Sequence, residues 1–534
     1  MSCTSDIISN LTFINTKRAR PHDASLAPSS SRDESTSSCL ITSFIEVASR
    51  RDTHPAISTS GLTWDYRSLL AAALSVARKL KEDPEYKPGN RVILLTPNSV
   101  EYVAAFYGIL IAKCIVVPLA ANLEKGTLEK ILASTEATVM IMTPRILKRR
   151  PDLQNLTVAE DHPSREVNRT NTQDSLSQLA AIFFTSGSSG TPKGVMLSHT
   201  NLISNSISIQ KYLKLNETER PLCILPFHHA FGNSVLQSHL LMGAHLILDG
   251  NTTFPETIIQ ALIKHECTSL SAVPDLFRTL LERTSFKKIE APSLRYMSVA
   301  GGALEYSLSL EINQHISPAR FFVMYGQTEA TARLAYVPPE HLLKVSDGCI
   351  GQGIPGVKLE VVDKNGHSVE PGEVGEVRAQ GPNIMQGYWR DPAGTQKRIR
   401  NGWLYTGDLA TIDESSWIIV KGRRNALLKI SGYRVHPADL EEFALRTFPI
   451  TQAVAVPFES KNVGTRLALY VKPDTSQRNL STSEMIAICR KKLPRQMIPD
   501  HISIVESFPL NHAMKIDRQR LSQRVKETVI NQEK

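Results

Sequence analysis

Three stretches in the first third of the chain alternate in type. Val92 to Thr96 is a continuous apolar run, Ser99 to Ala112 has the spacing of a buried helix, and Ile115 to Pro118 is a second apolar run ended by proline. Short apolar runs suit strands covered on both faces, and strand, helix, strand in succession predicts a βαβ unit with a parallel sheet. Folding is expected to begin near Leu40. Residues 1–39, with the tracts Ser29-Ser30-Ser31 and Ser35 to Ser38, form a polar tail too poor in apolar side chains to bury a core, and disorder is predicted there. Pro151 to Asp174 is polar and reads as a surface connection between two α/β segments.

Past residue 350 the rhythm shortens. Lys358 to Val362 is followed by Asp363-Lys364-Asn365-Gly366 and Glu370-Pro371-Gly372, turn signals close enough to predict a small β-rich subdomain. After Gly422 the pattern shifts again. A helix is expected from Ala438 to Arg446, strands at Gln452 to Pro457 and Arg466 to Val471, and a helix from Ser483 to Lys492. The fold class predicted is α/β: a large N-terminal domain over 40–422, with parallel-type sheets, helices and the β-rich subdomain, then a hinge at 423–425 and a small α+β domain over 426–534. The chain has no internal repeat at solenoid periods.

Composition narrows the class without choosing a function. The 534 residues are 41% hydrophobic and 21% charged, which suits a folded protein of several domains. The formal charge of +9 is too mild for a nucleic-acid protein, yet it favours anionic small ligands. Seven widely spaced cysteines make no CxxC or CxxH pair and predict reduced thiols and a cytoplasmic location. The longest apolar stretch, Arg91 to Leu119, is interrupted by Pro97, Glu101 and Lys113, so no transmembrane segment is expected. The N-terminus lacks the apolar centre of a secretory signal.

The first piece of chemistry follows the strand-like run Ala181 to Phe184. Thr185, Ser186, Gly187, Ser188, Ser189, Gly190, Thr191, Pro192, Lys193 and Gly194 combine backbone freedom, hydroxyl donors and one positive point charge, the means to wrap phosphates. A Walker loop is excluded, because its lysine is followed by Ser or Thr at a helix mouth and here Gly194 follows Lys193. This decad resembles the phosphate loop of the adenylate-forming superfamily, which contains acyl-CoA synthetases, adenylation domains of peptide synthetases and beetle luciferases. The similarity covers roughly residues 45 to 525, with further motifs in the same order. It implies a large AMP-binding domain, a mobile C-terminal lid and two half-reactions, in the first of which a carboxylate attacks the α-phosphate of ATP and pyrophosphate leaves.

The later motifs read accordingly. Val299, Ala300, Gly301 and Gly302 end a strand-like run where bare backbone admits a flat ring, and in the family this segment lines the adenine and acyl pockets. Tyr325 offers an aromatic face for adenine beside Gly326, Thr328 a hydroxyl for phosphate, and Glu329 a hard oxygen ligand for Mg²⁺. Asp408, after the expected turn glycine of Thr406-Gly407, is suited to accept from ribose hydroxyls. The resemblance makes Arg423 a second ribose or phosphate contact, Lys515 the lysine that reaches the reacting carboxylate and α-phosphate in the first step, Lys429 its counterpart in the second step, and Gly432 a border of the thiol channel. His229 matches the gate beside the reacting carboxylate, with Asn233 in the same acyl segment, while His228 packs or faces solvent. The position where amino-acid-activating relatives place an aspartate is Ala230, so an unpaired α-ammonium would be buried at a cost, and an organic or fatty acid is expected. Two departures fall on the lid: Met514 precedes Lys515 where glycine is usual, and Asn425 occupies the hinge. The leading expectation is an acid–thiol ligase using ATP, Mg²⁺ and coenzyme A. Transfer to a free-standing acyl carrier protein or an amine, and a non-catalytic nucleotide-binding relative, stay open as alternatives.

Overall fold

The computed structural model describes residues 7–16, 39–59, 61–153, 179–185, 192–302, 304–424, 428–430, 433–435, 437–460, 464–474, 481–510 and 516–532. Two compact units emerge. The first comprises Met1–Val345, Ile350–Leu359 and Ala379–Tyr405, and the second Ser346–Cys349, Glu360–Arg378 and Thr406–Lys534.

The first unit is built on two mixed sheets. In one, the strands run in the order Thr12–Asn15, Val139–Met142, Arg91–Leu95, Ile115–Pro118, Leu179–Thr185, Lys193–Ser198 and Gly387–Tyr388. Its centre is parallel, with Val92 to Leu95 paired to Val139 to Met142 on one side and Arg91 to Leu94 paired to Ile115 to Pro118 on the other. The expected βαβ unit is therefore present. Its helix spans Val100–Ile111, started by Ser99, whose side chain accepts from the Tyr102 amide. That helix is apolar all round because it is buried all round: Val103, Phe106, Tyr107 and Leu110 have no exposure, and Phe44 of the Leu40–Arg50 helix stacks on Tyr107 at 3.9 Å.

The other sheet of this unit carries the parallel strands Pro55–Thr59, Leu246–Ile247, Pro221–Leu222, Ser269–Ala272, Tyr296–Val299 and Arg320–Tyr325, flanked by antiparallel Leu62–Asp65 and Ala335–Val337. The last three parallel strands are in step, with Ala272 opposite Val299 and Val299 opposite Val323. Ser269–Ala272 and Tyr296–Val299 end level and Arg320–Tyr325 runs two residues further, all toward the edge where open α/β sheets hold ligands.

The second unit holds the antiparallel pair formed by Thr406–Ile412 and Ile418–Arg423, within strands that the shortened turn rhythm anticipates. It also contains the sheet Ile450–Ser460, Gly464–Pro473 and His501–Ile504 with helices Pro437–Thr447, Thr482–Lys492 and Arg518–Gln532, so each expected C-terminal element is found within two or three residues of its predicted ends. Val454, Val456, Leu469 and Val471 on the two long strands are buried, packed toward Leu440, Met485 and Leu521 of the helices.

Two expectations need correction. The tail expected to be disordered over 1–39 contains an ordered strand: Thr12 to Asn15 pairs antiparallel with Met142 to Val139, while Ile7 and Leu11 are 1% and 5% exposed. Locally the apolar Ile7, Leu11, Phe13 and Ile14 suffice to close the sheet edge, which average tail composition conceals. The turn expected at Thr406-Gly407 is strand, because Gly407 takes φ 77° inside a ten-residue strand and kinks it without ending it.

Deleting residues 1–16 removes the buried side chains of Ile7 and Leu11, each worth about 1.5–3 kcal/mol. The expected result is a fall in melting temperature on the order of 5 °C, measured by scanning calorimetry. An unchanged midpoint would show that the first sheet does not use this edge.

Candidate functional site

The glycine- and hydroxyl-rich segment is framed by a β-hairpin. Thr185 lies opposite Lys193, Phe184 opposite Gly194 and Phe183 opposite Val195, so the two ends of the loop are held side by side. Ser186, Gly187, Ser188, Ser189, Gly190 and Thr191 lie outside the described residues. The strand Gly387–Tyr388 joins the outer edge of the hairpin, with Tyr388 opposite Val195 and the Trp389 amide donating to the Gly194 carbonyl. Tyr388 is the bridge of the site. Lys193 Nζ stands 4.8 Å from the centre of its ring, and its hydroxyl donates to Glu329 Oε1 at 2.7 Å.

Glu329 is 8% exposed, in the short turn Thr328–Ala330 that follows the Arg320–Tyr325 strand. Its main chain is held by the Met385 amide, which donates to the Glu329 carbonyl. One carboxylate oxygen is thus occupied by Tyr388, and among the described residues the other makes no hydrogen bond or ion pair, the donor state a hard divalent cation needs. Burial, and next the charge of Glu329, raise the Tyr388 phenol well above its usual value and keep it a donor. Lys193 also pairs with Asp391 Oδ2 at 3.1 Å. Burial alone would raise the Asp391 carboxyl, but the Gly394 amide and Lys193 outweigh it and hold it ionised below the usual range.

The Arg320–Tyr325 strand that leads to Glu329 is paired with the Tyr296–Val299 strand. Val299 and Ala300 are buried, Gly301 takes φ 91° and Gly302 follows it, while Tyr325 is half-buried at the end of the neighbouring strand. Gly326 cannot be replaced without moving backbone: a Cβ there would lie 1.8 Å from the Ala332 carbonyl oxygen. The loop behind it, Thr331 to Arg333, folds back against the strand, with the Leu334 amide donating to Tyr325 O.

His229 is half-buried at the start of the Ala230–Leu240 helix, its ring 4.3 Å from that of His228. Asn98, in the loop after the Arg91–Leu95 strand, clamps the segment ahead of it: its Nδ2 donates to the Leu225 and Cys223 carbonyls at 2.7 and 3.3 Å, and its Oδ1 accepts from the Phe227 amide at 2.8 Å. Asn233, one turn into the helix, is 2% exposed and lies beside the Tyr102 hydroxyl. His228 borders a cavity of about 390 Å³ that Thr96, Asn98, Cys223 and Asp249 also line, so it neither packs fully nor stands on open surface.

In the second unit, Asp408 and Arg423 are direct cross-strand partners, and Arg423 Nε donates to Asp408 Oδ1 at 2.7 Å. The fifteen-residue spacing is that of an antiparallel hairpin. Asp408 is 4% exposed while Arg423 is half in solvent. Beside them Glu376 accepts from the Gly407 amide and from Arg424 at 3.1 and 2.7 Å. Lys429 sits in the strand Leu428–Ile430, opposite Arg434. Asn425, Gly432, Met514 and Lys515 lie outside the described residues. The first unit therefore brings Lys193, Glu329 and the ends of the loop together, and the second brings Asp408 and Arg423 together. Tyr388, Asp391, Asn98 and Glu376 join these groups without any motif to announce them.

Comparison with known proteins gives a consistent neighbourhood. Residues 44–389 match the family model described as AMP-binding enzyme. The chain is 28% identical to the long-chain-fatty-acid–CoA ligase of Salmonella typhimurium, over 92% of this chain and 95% of that one. It is likewise 28% identical to the feruloyl-CoA synthase of an Amycolatopsis species, over 86% and 94% of the two chains. The solved structure of o-succinylbenzoate coenzyme A synthetase from Bacillus subtilis, in complex with ATP and a magnesium ion, superposes with a TM-score of 0.74 at 23% identity, covering 90% of this chain and 98% of that one. Among the described residues no helix is long and apolar enough to cross a membrane.

Burial depresses three histidines of the first unit, His199, His239 and His245, each to about 4. Unfolded, they take up protons near pH 6.5, so between pH 6.5 and 4 the unfolded chain binds more protons than the folded one. Their contribution is complete above pH 6.5 and is lost as the pH falls through that window, on the order of 3 kcal/mol for His239 alone. The melting temperature is expected to drop steadily from pH 6.5 to 4.5, with a shallower slope in His239→Gln. A flat profile would contradict the burial.

Proposed function

As a member of the AMP-binding enzyme family, to which its match over residues 44–389 assigns it, the chain is one that we propose activates a carboxylic acid with ATP and passes the acyl group to coenzyme A. In the first half-reaction a carboxylate oxygen bonds to the α-phosphorus of ATP, the bond to the bridging oxygen breaks, and pyrophosphate leaves. In the second, a thiolate bonds to the acyl carbon and AMP departs.

One observation carries this reading furthest: Lys193 at the end of the phosphate-loop hairpin and Glu329 after the Arg320–Tyr325 strand share a single bridging side chain, Tyr388. A cation for phosphate oxygens and a carboxylate for a phosphate-bound divalent ion then lie at one place. In our reading the hairpin segment Thr185 to Lys193 takes the phosphates, Glu329 holds Mg²⁺ as part of the MgATP substrate, Thr328 donates to a phosphate oxygen, and Tyr325 with Gly301, Gly302 and Gly326 receives the adenine. Asp408 accepts from ribose hydroxyls and Arg423 supports it. His229, Asn233, Val299 and Ala300 border the acid, with His229 orienting the carboxylate. Lys515 balances the negative charge that redistributes in the first transition state, Lys429 serves the second step, and Gly432 borders the thiol. Ala230 offers no counter-charge to an α-ammonium, which argues against amino acids.

The test is acid-dependent exchange of labelled pyrophosphate into ATP, followed by mass spectrometry of products formed with coenzyme A, a carrier protein or an amine. Exchange with at least one acid and an acyl-CoA product are expected; no exchange across a broad acid panel would defeat the proposal. Lys515→Ala should abolish exchange, whereas Lys429→Ala should retain exchange within about threefold and slow thioester formation from preformed acyl-adenylate by at least tenfold. Equal losses in both steps would contradict the division of labour between the two lysines.

A further inference from the structure

Among the described residues, the largest fully buried side chain is a charged one without a counter-charge. Arg333, 1% exposed, lies two residues beyond Thr331 and directly behind Gly326, and among the described residues it makes no ion pair. Only Nη1 is occupied: it donates to the Tyr212 hydroxyl at 2.7 Å and touches Met324 Sδ at 3.1 Å. Nε and Nη2 are both buried without a hydrogen-bond partner. A guanidinium taken out of water and left half-satisfied is one of the costliest groups a core can hold, and native structures keep such groups chiefly where something binds them.

The two vacant donors are adjacent on one side of the planar fork, the pair that grips a carboxylate with two parallel hydrogen bonds. This chain uses the same pair elsewhere: Arg378 directs Nε and Nη2 at Glu360, and Arg466 directs its own at Asp500. Arg333 has the donors of those two arginines and lacks their carboxylate.

Its position is fixed from behind. The Arg333 carbonyl accepts from Asn205 Nδ2 and from Asn383 Nδ2, both at 3.0 Å, and the Thr331 hydroxyl donates to the Asn383 carbonyl. Asn205 and Tyr212 come from the His199–Leu213 helix, which starts directly after the phosphate-loop hairpin under a Ser198–Asn201 capping box. The guanidinium lies 5.3 Å from the ring of Phe231, two residues after His229, in an apolar cluster that includes Tyr212, Met324 and Ala300. A guanidinium anchored through Nη1 on a fixed backbone, in the apolar surroundings of the acyl segment, has the makings of a selective site.

We infer that Arg333 receives a second carboxylate of the substrate, so that the acid activated is a dicarboxylic acid whose far end pairs with Nε and Nη2 while its near end reacts beside His229. The inference rests on the ligase reading above and narrows its substrate class. The pairing would satisfy both vacant donors at once, and an acid ending in a methyl group would leave them buried and unpaired, the condition under which a polar site rejects an analogue most strongly.

The test measures kcat/KM for pyrophosphate exchange by the full-length protein on acids matched in length: glutarate against pentanoate, adipate against hexanoate, suberate against octanoate, and isophthalate against 3-methylbenzoate. At least one diacid is expected to exceed its partner by about a hundredfold or more. Arg333→Met should erase that preference by raising the KM for the diacid, leave monoacid turnover within a few-fold, and melt no lower than the parent, since an unpaired buried charge has been removed. Monoacids used as well as or better than every matched diacid would overturn the inference and leave the ligase reading standing. A preference that persists in Arg333→Met would overturn it as well. Should that variant not fold, Arg333→Lys retains the charge without the fork, and an undiminished diacid preference there would be equally fatal. No exchange with any acid of either kind would sink the ligase reading itself, and this inference with it.

Discussion

Parallel pairing in step is the constraint from which the rest of the first unit follows. Because Ser269–Ala272, Tyr296–Val299 and Arg320–Tyr325 run the same way without register shifts, their carboxyl ends finish within two residues of one another, and each hands the chain to a loop at one edge. Gly301 and Tyr325 stand at the ends of adjacent strands for that reason, although 24 residues separate them in sequence. The antiparallel hairpin from Leu179 to Ser198 solves a different problem, holding Thr185 and Lys193 opposite each other across a loop rich in glycine and hydroxyls. Tyr388 then joins the two systems, with its ring against the lysine and its hydroxyl on the glutamate.

How much of this was written in the sequence depends on the range over which the determining forces act. Val92 to Leu95 and Ile115 to Pro118 announce strands because a doubly covered strand must be apolar at every position, and the intervening helix announces itself by its Ser99 start. The spacing from Asp408 to Arg423 is legible once a hairpin is assumed, since cross-strand partners in an antiparallel pair have fixed separation. The N-terminal strand was not legible. Five apolar residues in an otherwise polar segment carry too little local signal, and the strand exists because a distant edge, Val139 to Met142, accepts it. Tyr388 and Asp391 escape for a similar reason: they stand almost two hundred residues from Lys193, and only the closed sheet brings them to it.

Buried polarity is spread unevenly through the first unit, and the unevenness is informative. Glu219 is buried but answered by Arg295 and the Thr268 hydroxyl, and His239 is buried neutral between the Val235 carbonyl and the Tyr296 hydroxyl. The Glu219 charge is answered by Arg295 although its Oε1 makes no hydrogen bond, and both ring nitrogens of His239 are engaged from inside the fold. Arg333 differs because its surroundings answer its main chain generously and its side chain only in part. A fold that invests two asparagines in fixing an arginine carbonyl has fixed where its side chain begins.

The Asn98 clamp has a chemical lifetime. One amide side chain ties the loop after the first sheet to the segment that leads to His229, using both its donor and its acceptor. Deamidation, the ordinary fate of an ageing asparagine, would exchange the Nδ2 donor for a second acceptor oxygen and set a carboxylate against the carbonyls of Cys223 and Leu225. The tie would become a repulsion with no change in the hydrophobic interior. The segment ahead of His229 would then have lost the side chain that ties it to the loop after the Arg91–Leu95 strand.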